Sequence, residues 1–330
     1  MKAAKVLAIN LLVLFVLLAL AEGVCRLAGW GASPAVEPYI ADWQQKFGGV
    51  FSLTGGAVLP PVNAEGFRDV DHTGQSRPGV VRVACIGDSV VYGYGVPFSG
   101  SLSRRLEEVL GRYGVRAEVF NFSRPGWSPL QYRLAYERHA RPYLPGWVIL
   151  GCCLNDIPEL QNNLEKPPAW LTPLVRHSAL VRAAIRPERA EIARVEELFT
   201  HPDHPKVQNG YRLFFREIQA LAREVERDGA RLAVLLFPFR FQVLDPGFAP
   251  LPQEAVRSFC SENGILYVDV ASPLIRAGEC AFVDYGHLSP LGAEVAARVL
   301  AARLFLGPVR TDSGPEQKKG VPSPGPLDSP

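Results

Sequence analysis

The chain has 330 residues, 48% of them apolar, with a formal net charge of +2 and six cysteines. A chain of this length can bury a full core and suits one large domain with appendages. Its near-neutral charge and lack of basic clusters interleaved with aromatics exclude nucleic acid as a partner class. The cysteines, at positions 25, 85, 152, 153, 260 and 280, lack the paired C-x-x-C spacing of a structural metal site.

Lys2 and Lys5 precede an apolar run from Val6 to Ala21 that only Asn10 interrupts. The run directs the chain to a membrane, and its charged flank places the amino terminus in the cytoplasm and everything after Ala21 on the far side. Two fates stay open. Ala19-Leu20-Ala21 fits a small-residue cleavage site, whereas Val24, Leu27, Ala28 and Trp30 extend the apolar face beyond Glu22 and favour a retained anchor over residues 1–30. Residues 31–79 are rich in Gly, Pro and polar residues and read as an irregular lead-in. Within it, Asn63 to Asp69 has a turn-like centre, and Phe67 is placed to pack on the core.

The domain itself is expected over residues 80–307. Val81 to Ile86 is a continuous apolar, β-branched run that stops at Gly87-Asp88-Ser89, the pattern of a buried parallel strand ending in a tight loop. Ser89 therefore sits at the carboxyl end of a strand, the edge where open α/β sheets bind ligands. It is a candidate nucleophile, or the third residue of an ordinary Asx turn. Leu102 to Leu110 is an amphipathic helix. A strand at Ala117 to Phe120 leads into Asn121-Phe122-Ser123-Arg124-Pro125-Gly126-Trp127, with Gly126 in a strand-end loop or a plain Pro-Gly turn. Helical pattern covers Leu130 to Tyr143, and the apolar strand Trp147 to Cys153 ends at Leu154-Asn155-Asp156, where Asn and Asp also suit a helix cap.

The interval Pro158 to Gly210 exceeds a simple crossover and is placed to form a lid or wall of the site. It holds amphipathic stretches at Leu174 to Arg186 and Glu188 to Phe199, then His201-Pro202-Asp203-His204, a loop rather than a metal pair because proline breaks the helix that sets such spacing. Beyond it come the strand Leu232 to Phe237, an aromatic-rich loop to Pro252, the helix Gln253 to Glu262 and the strand Ile265 to Val270. Cys260 and Cys280 flank that strand, and in an exported domain they are candidates for a disulfide. Asp284-Tyr285-Gly286-His287 precedes a closing helix from Leu291 to Leu306, and residues 308–330, poor in apolar residues, are expected to be disordered.

Strands alternating with helices imply a parallel sheet covered on both faces. Five of them suit a three-layer α/β/α sandwich with the flavodoxin-like order 2-1-3-4-5. A hydroxyl becomes nucleophilic when an imidazole takes its proton and a carboxylate fixes the ring's tautomer. Asp284 and His287, three residues apart on a turn, supply that pair, although a surface Asp and an exposed His are the simpler alternative. The backbone N–H of Gly126 and the side-chain amide of Asn155 are neutral donors of the kind a developing oxyanion needs. A dinucleotide site at the first loop is excluded, since no G-x-G-x-x-G follows Val81 to Ile86 and Asp88 repels a phosphate.

In order and approximate spacing, Ser89, Gly126, Asn155 and His287 resemble the four motif blocks of the SGNH or GDSL-type hydrolases. By that resemblance Ser89 is the nucleophile and first oxyanion donor, Gly126 and Asn155 are the other donors, and Asp284 with His287 is the D-x-x-H pair. Val90 stands where the family has Leu, and Cys153 where the G-x-N-D block usually has Gly. The resemblance, which extends to a membrane-anchored bacterial subgroup, implies a serine-dependent ester hydrolase or acyl-transferring enzyme outside the cytoplasmic membrane. Its implied substrate is an acyl ester of a polysaccharide or lipid, and no metal or organic cofactor is required. A non-catalytic envelope protein that keeps the fold for binding is the alternative.

Overall fold

The computed structural model describes residues 2–30, 61–74, 77–158, 174, 177–185, 187–245 and 247–305. Most of the lead-in (31–60), the start of the long insertion and the tail expected to be disordered (308–330) lie outside the described residues.

Strand β1 (Val81–Gly87) is buried from Arg82 onward. A strand covered on both faces has no solvent side, which is why its sequence runs apolar without alternation. It pairs in parallel with β2 (Ala117–Ser123) on one side and β3 (Trp147–Cys153) on the other, and β4 (Arg231–Phe237) and β5 (Leu266–Tyr267) complete the sheet. The order is 2-1-3-4-5, so the α/β architecture is the one expected.

Helix α1 (Lys2–Leu27) precedes the domain. Among the described residues it is the one helix long and apolar enough to cross a membrane, as an anchor or as a signal sequence. The short α2 (Ser89–Tyr92) and α3 (Leu102–Arg112) lie between β1 and β2. The apolar positions Leu102, Leu106, Val109 and Leu110 all face inward. α4 (Pro129–Ala135) widens into a π turn and tightens into a 3-10 turn, so the expected helix to Tyr143 is helical throughout with a changing pitch. The long insertion contributes α5 (Ala179–Ile185) and α6 (Pro187–Thr200), followed by α7 (Pro205–Arg227). After β4 come α8 (Phe241–Leu244) and α9 (Leu251–Glu262), and after β5 come α10 (Ala271–Ala277) and α11 (Pro290–Leu304). Right-handed crossovers put α3 on one face and α4, α7 and α9 on the other. Accordingly α11 packs on α3, and α4 on α7.

Several expectations need correction. β5 is a two-residue edge strand rather than Ile265 to Val270. Its ladder ends where the Val268 N–H donates to the Val234 carbonyl at 2.9 Å. Asp269 then accepts from the N–H (3.1 Å) and hydroxyl (2.6 Å) of Ser272, which turns the chain out of the sheet into α10. β2 instead runs three residues past Phe120. The lead-in covers this open edge, with the Asn121 N–H donating to Asp69 Oδ2 at 2.8 Å and its amide to the Arg68 carbonyl at 3.2 Å. Cys260 and Cys280 form no disulfide: both are free, the first buried and the second exposed. The segment from His201 to His204 is the loop expected, and His204 caps α7, its Nδ1 accepting from the Lys206 N–H at 3.2 Å.

Candidate active site

The register aligns three loops at one edge. Gly87 lies opposite Ser123 of β2 and Gly151 of β3, so the loops that carry Ser89, Gly126 and Asn155 leave adjacent strands at the same edge of the sheet. Each is half-buried beside buried neighbours.

At the nucleophile loop the chain must turn without a side chain at position 87. A Cβ there would meet the Gly151 carbonyl oxygen at 2.5 Å and Val91 at 2.4 Å. Asp88 caps α2, its carboxylate accepting from the Val90 N–H at 2.9 Å, and Gly93 ends the helix at a φ of 82°. Ser89 is thus the first residue of a one-turn helix clamped at both ends. After β3, the buried Asp156 carboxylate accepts from the Cys153 N–H at 2.8 Å and from the Tyr132 hydroxyl at 2.8 Å, which fixes the turn presenting Asn155. Gly126 takes a φ of 78°, in the left-handed region that favours glycine.

The far end of the chain closes on this edge. Phe282 and Leu288 form an antiparallel bridge, and the Val283 N–H donates to the His287 carbonyl at 2.9 Å. Inside that loop Asp284 Oδ1 accepts from the N–H groups of Gly286 (3.0 Å) and His287 (2.9 Å), folding the carboxylate back onto the ring. His287 Nδ1 lies 2.7 Å from Asp284 Oδ2, and Nε2 lies 2.9 Å from Ser89 Oγ. The structure therefore joins Ser89, His287 and Asp284 by direct contact and positions Gly126 and Asn155 by strand register.

Burial pulls the His287 pKa down, but the hydrogen bond and charge of Asp284, with the charges of Asp88 and Glu191, outweigh it and leave the pKa raised from 6.5. Burial pushes Asp284 upward, and the bonds and charge of His287 outweigh that and hold it below its ordinary 3.8. Desolvation raises Asp88 to about 6. The arrangement is that of a proton acceptor poised against a hydroxyl.

Several contributors carry no sequence signal. Arg68, fully buried, donates to the carbonyls of Gly93 and Val96 and stacks over the Tyr92 ring, so it holds the loop that follows Ser89. Tyr94 packs on the His287 ring at 4.6 Å between centroids. The Tyr285 hydroxyl, within the D-x-x-H turn, donates to Glu191 of α6 at 3.0 Å. Glu191 is itself pushed up by burial.

The family model described as GDSL-like Lipase/Acylhydrolase family matches residues 85–295. The chain belongs to this family, and it is accordingly a hydrolase acting on ester bonds. No curated protein matches the sequence. Among solved structures it is similar to a lipolytic protein of the G-D-S-L family from Veillonella parvula DSM 2008, with 15% identity, 68% of this chain and 98% of that one covered, and a TM-score of 0.43. It is also similar to a catalytic mutant of an acetylxylan esterase from Geobacillus stearothermophilus, with 14% identity, 67% and 92% covered, and a TM-score of 0.45. A third is an alpha/beta hydrolase from the metagenome of Lake Arreo, with 14% identity, 67% and 93% covered, and a TM-score of 0.45.

Proposed function

We propose that the protein is a serine esterase, or an acyl-transferring enzyme of the same chemistry, in which Ser89 attacks an ester carbonyl. As the Ser89 Oγ–carbonyl bond forms, the hydroxyl proton passes to His287 Nε2, and Asp284 holds Nδ1–H and stabilises the imidazolium. The oxyanion rests on the N–H groups of Ser89 and Gly126 and the amide of Asn155, a set in which loss of one donor typically costs about 100- to 1000-fold in rate. The proton on His287 then goes to the departing alkoxide, leaving an acyl-Ser89 ester. Water, or a sugar hydroxyl in the transferase variant, then attacks that ester as His287 Nε2 takes its proton, and the proton returns to Ser89 Oγ as the acyl–Oγ bond breaks and the acyl group leaves. The scheme calls for no metal or organic cofactor.

The observation that carries this reading is the unbroken line of contacts from Ser89 Oγ through His287 to Asp284, at 2.9 and 2.7 Å. The candidate substrates are an acetylated envelope polysaccharide or a lipid ester. The site lies outside the cytoplasmic membrane, with α1 retained as a single-pass anchor. Support for this side comes from Lys2 and Lys5 ahead of the apolar run, the flank that stays in the cytoplasm.

The test is labelling by a fluorophosphonate probe together with hydrolysis of an acyl-ester panel. Wild type should label and hydrolyse. Ser89→Ala and His287→Ala should do neither while keeping the wild-type circular dichroism. A Ser89→Ala protein with wild-type hydrolysis would end the proposed mechanism.

A further inference from the structure

The carboxylate of Glu22, near the end of α1, accepts from the N–H groups of Ala179 (2.9 Å) and Leu180 (2.8 Å) and from the Ser178 hydroxyl (2.8 Å), so it caps α5. One turn on, Arg26 pairs with Glu22 and donates to the His177 carbonyl at 2.8 Å. These bonds fall where the exposure of α1 changes. Residues 5–20 are exposed throughout, whereas residues 21–23 are partly covered and Cys25 is buried. At 1.5 Å per residue the exposed part spans roughly 24 Å, close to the hydrocarbon core of a bilayer at about 30 Å. The domain thus grips α1 at the level where a spanning helix leaves the membrane.

From that grip the path to the catalytic turn is short. α5 has seven residues, roughly 10 Å of helix, and α6 begins two residues later. Its fifth residue is Glu191, which takes the Tyr285 hydroxyl between Asp284 and His287. At its other end Phe199 packs on Phe241 and Phe248 of the loop after β4, and that loop is tied to the turn by the Arg240 N–H, 2.8 Å from the Tyr285 carbonyl.

The same rim carries large apolar side chains left in solvent. Leu244 ends α8, Leu251 begins α9, Val283 adjoins Asp284 and Leu291 opens α11, and all four are exposed. Single exposed leucines are ordinary on any surface. Four on the segments around one catalytic edge, on a chain whose membrane helix is bonded to that edge through two helices, point to a lipid surface.

We infer that α5 and α6 form a strut that holds the catalytic rim against the bilayer surface, so that the site takes acyl esters carried by membrane-resident molecules. The inference rests on the esterase reading above and names its substrate class. The strut is built from a charged helix cap and a tyrosine–carboxylate bond. Breaking the cap frees the domain to reorient about α1 without touching the reacting groups.

The experiment uses the full chain reconstituted in phosphatidylcholine vesicles, with acetate release measured from butyl acetate in solution and from hexadecyl acetate in the bilayer. The reacting ester is the same in both. Glu22→Ala should lower kcat/KM for hexadecyl acetate about tenfold or more and leave butyl acetate within about twofold. Leu251→Asp, at an exposed position that makes no contact with the reacting groups, should do the same by making the rim repel the bilayer. Variants that keep the wild-type ratio of the two activities overturn the inference, as does an equal loss on both substrates. A wild type that hydrolyses neither ester refutes the esterase reading instead.

Discussion

The position of Asp284 yields a prediction about two substitutions, one that keeps the shape of the side chain and one that removes it. Its Oδ1 is held by two backbone N–H groups, those of Gly286 and His287, and Oδ2 faces His287 Nδ1 at 2.7 Å. An asparagine keeping those backbone bonds must put its oxygen in the Oδ1 place, which leaves its NH2 facing Nδ1. Two donors cannot share that contact, so the ring moves its proton to Nε2 and no longer accepts from Ser89. Alanine removes the carboxylate but leaves the imidazole free to choose its tautomer. A hydrogen bond to a charged group contributes about 1.5–3 kcal/mol, and at about 1.4 kcal/mol per factor of ten Asp284→Ala should lose roughly 10- to 150-fold in kcat. The upper end is discounted because the Asp284 side chain is 34% exposed. Asp284→Asn should lose more than Asp284→Ala.

The same experiment reads the proton. His287 acts as base only when neutral, so kcat/KM rises with pH through a pKa held above 6.5. In Asp284→Ala the main contributions that raise it are gone while burial, which lowers it, remains, so the acid limb moves to lower pH. Both variants are assayed on butyl acetate from pH 5 to 9. An asparagine variant faster than the alanine variant, or an acid limb that moves upward in Asp284→Ala, refutes the reasoning.

Arg68→Ala removes buried donors to the Gly93 and Val96 carbonyls and should cost about 2–4 kcal/mol of stability, seen as an earlier urea midpoint. A midpoint equal to wild type would deny the clamp. Gly87→Ala places a Cβ 2.5 Å from the Gly151 carbonyl oxygen, a backbone atom that cannot swing aside, so about 1–3 kcal/mol of stability and most activity should go together. Asp88 carries a folded-state pKa raised from 3.8 to about 6, so its contribution to stability declines as pH rises from about 4 to about 6. The folded form binds more protons than the unfolded form in that window. At about 1.4 kcal/mol per unit the penalty above pH 6 is about 3 kcal/mol. Asp88→Asn keeps the cap acceptor and should flatten that decline in denaturation curves between pH 4 and 8.

What could be read in advance and what could not divide along contact range. The loops bearing Ser89, Gly126 and Asn155 were legible because a strand buried on both faces leaves an unbroken apolar run, and such a run ends visibly at Gly87-Asp88 or at Leu154-Asn155. The fold of Asp284 onto His287 was legible because it needs only a turn of three residues. β5 was overestimated because Ile265 to Val270 has strand composition throughout, while its last bond to β4 is made at Val268 and Asp269 is claimed by Ser272. A capping carboxylate two residues past a paired position does not alter the apolar pattern. Arg68 and Glu191 were invisible for a different reason: their partners lie 25 and 94 residues away, and no period or spacing joins them.

Those distant contacts govern how rigid the site is. The D-x-x-H turn makes its own bonds through Asp284, but Tyr285 in its middle is held from outside, its hydroxyl by Glu191 of the insertion and its carbonyl by Arg240 of the loop after β4. An imidazole 2.9 Å from a hydroxyl is useful only if that distance persists. Removing the Glu191 bond therefore differs from removing Asp284. It should leave the His287 tautomer intact and loosen its position, so Glu191→Gln, which keeps an acceptor for the Tyr285 hydroxyl, should retain more activity than Glu191→Ala. Equal losses in the two variants would mean that the charge of Glu191, which both lack, matters to His287 more than the bond that holds Tyr285, and titration of kcat/KM would show it as an acid limb moved to lower pH in both.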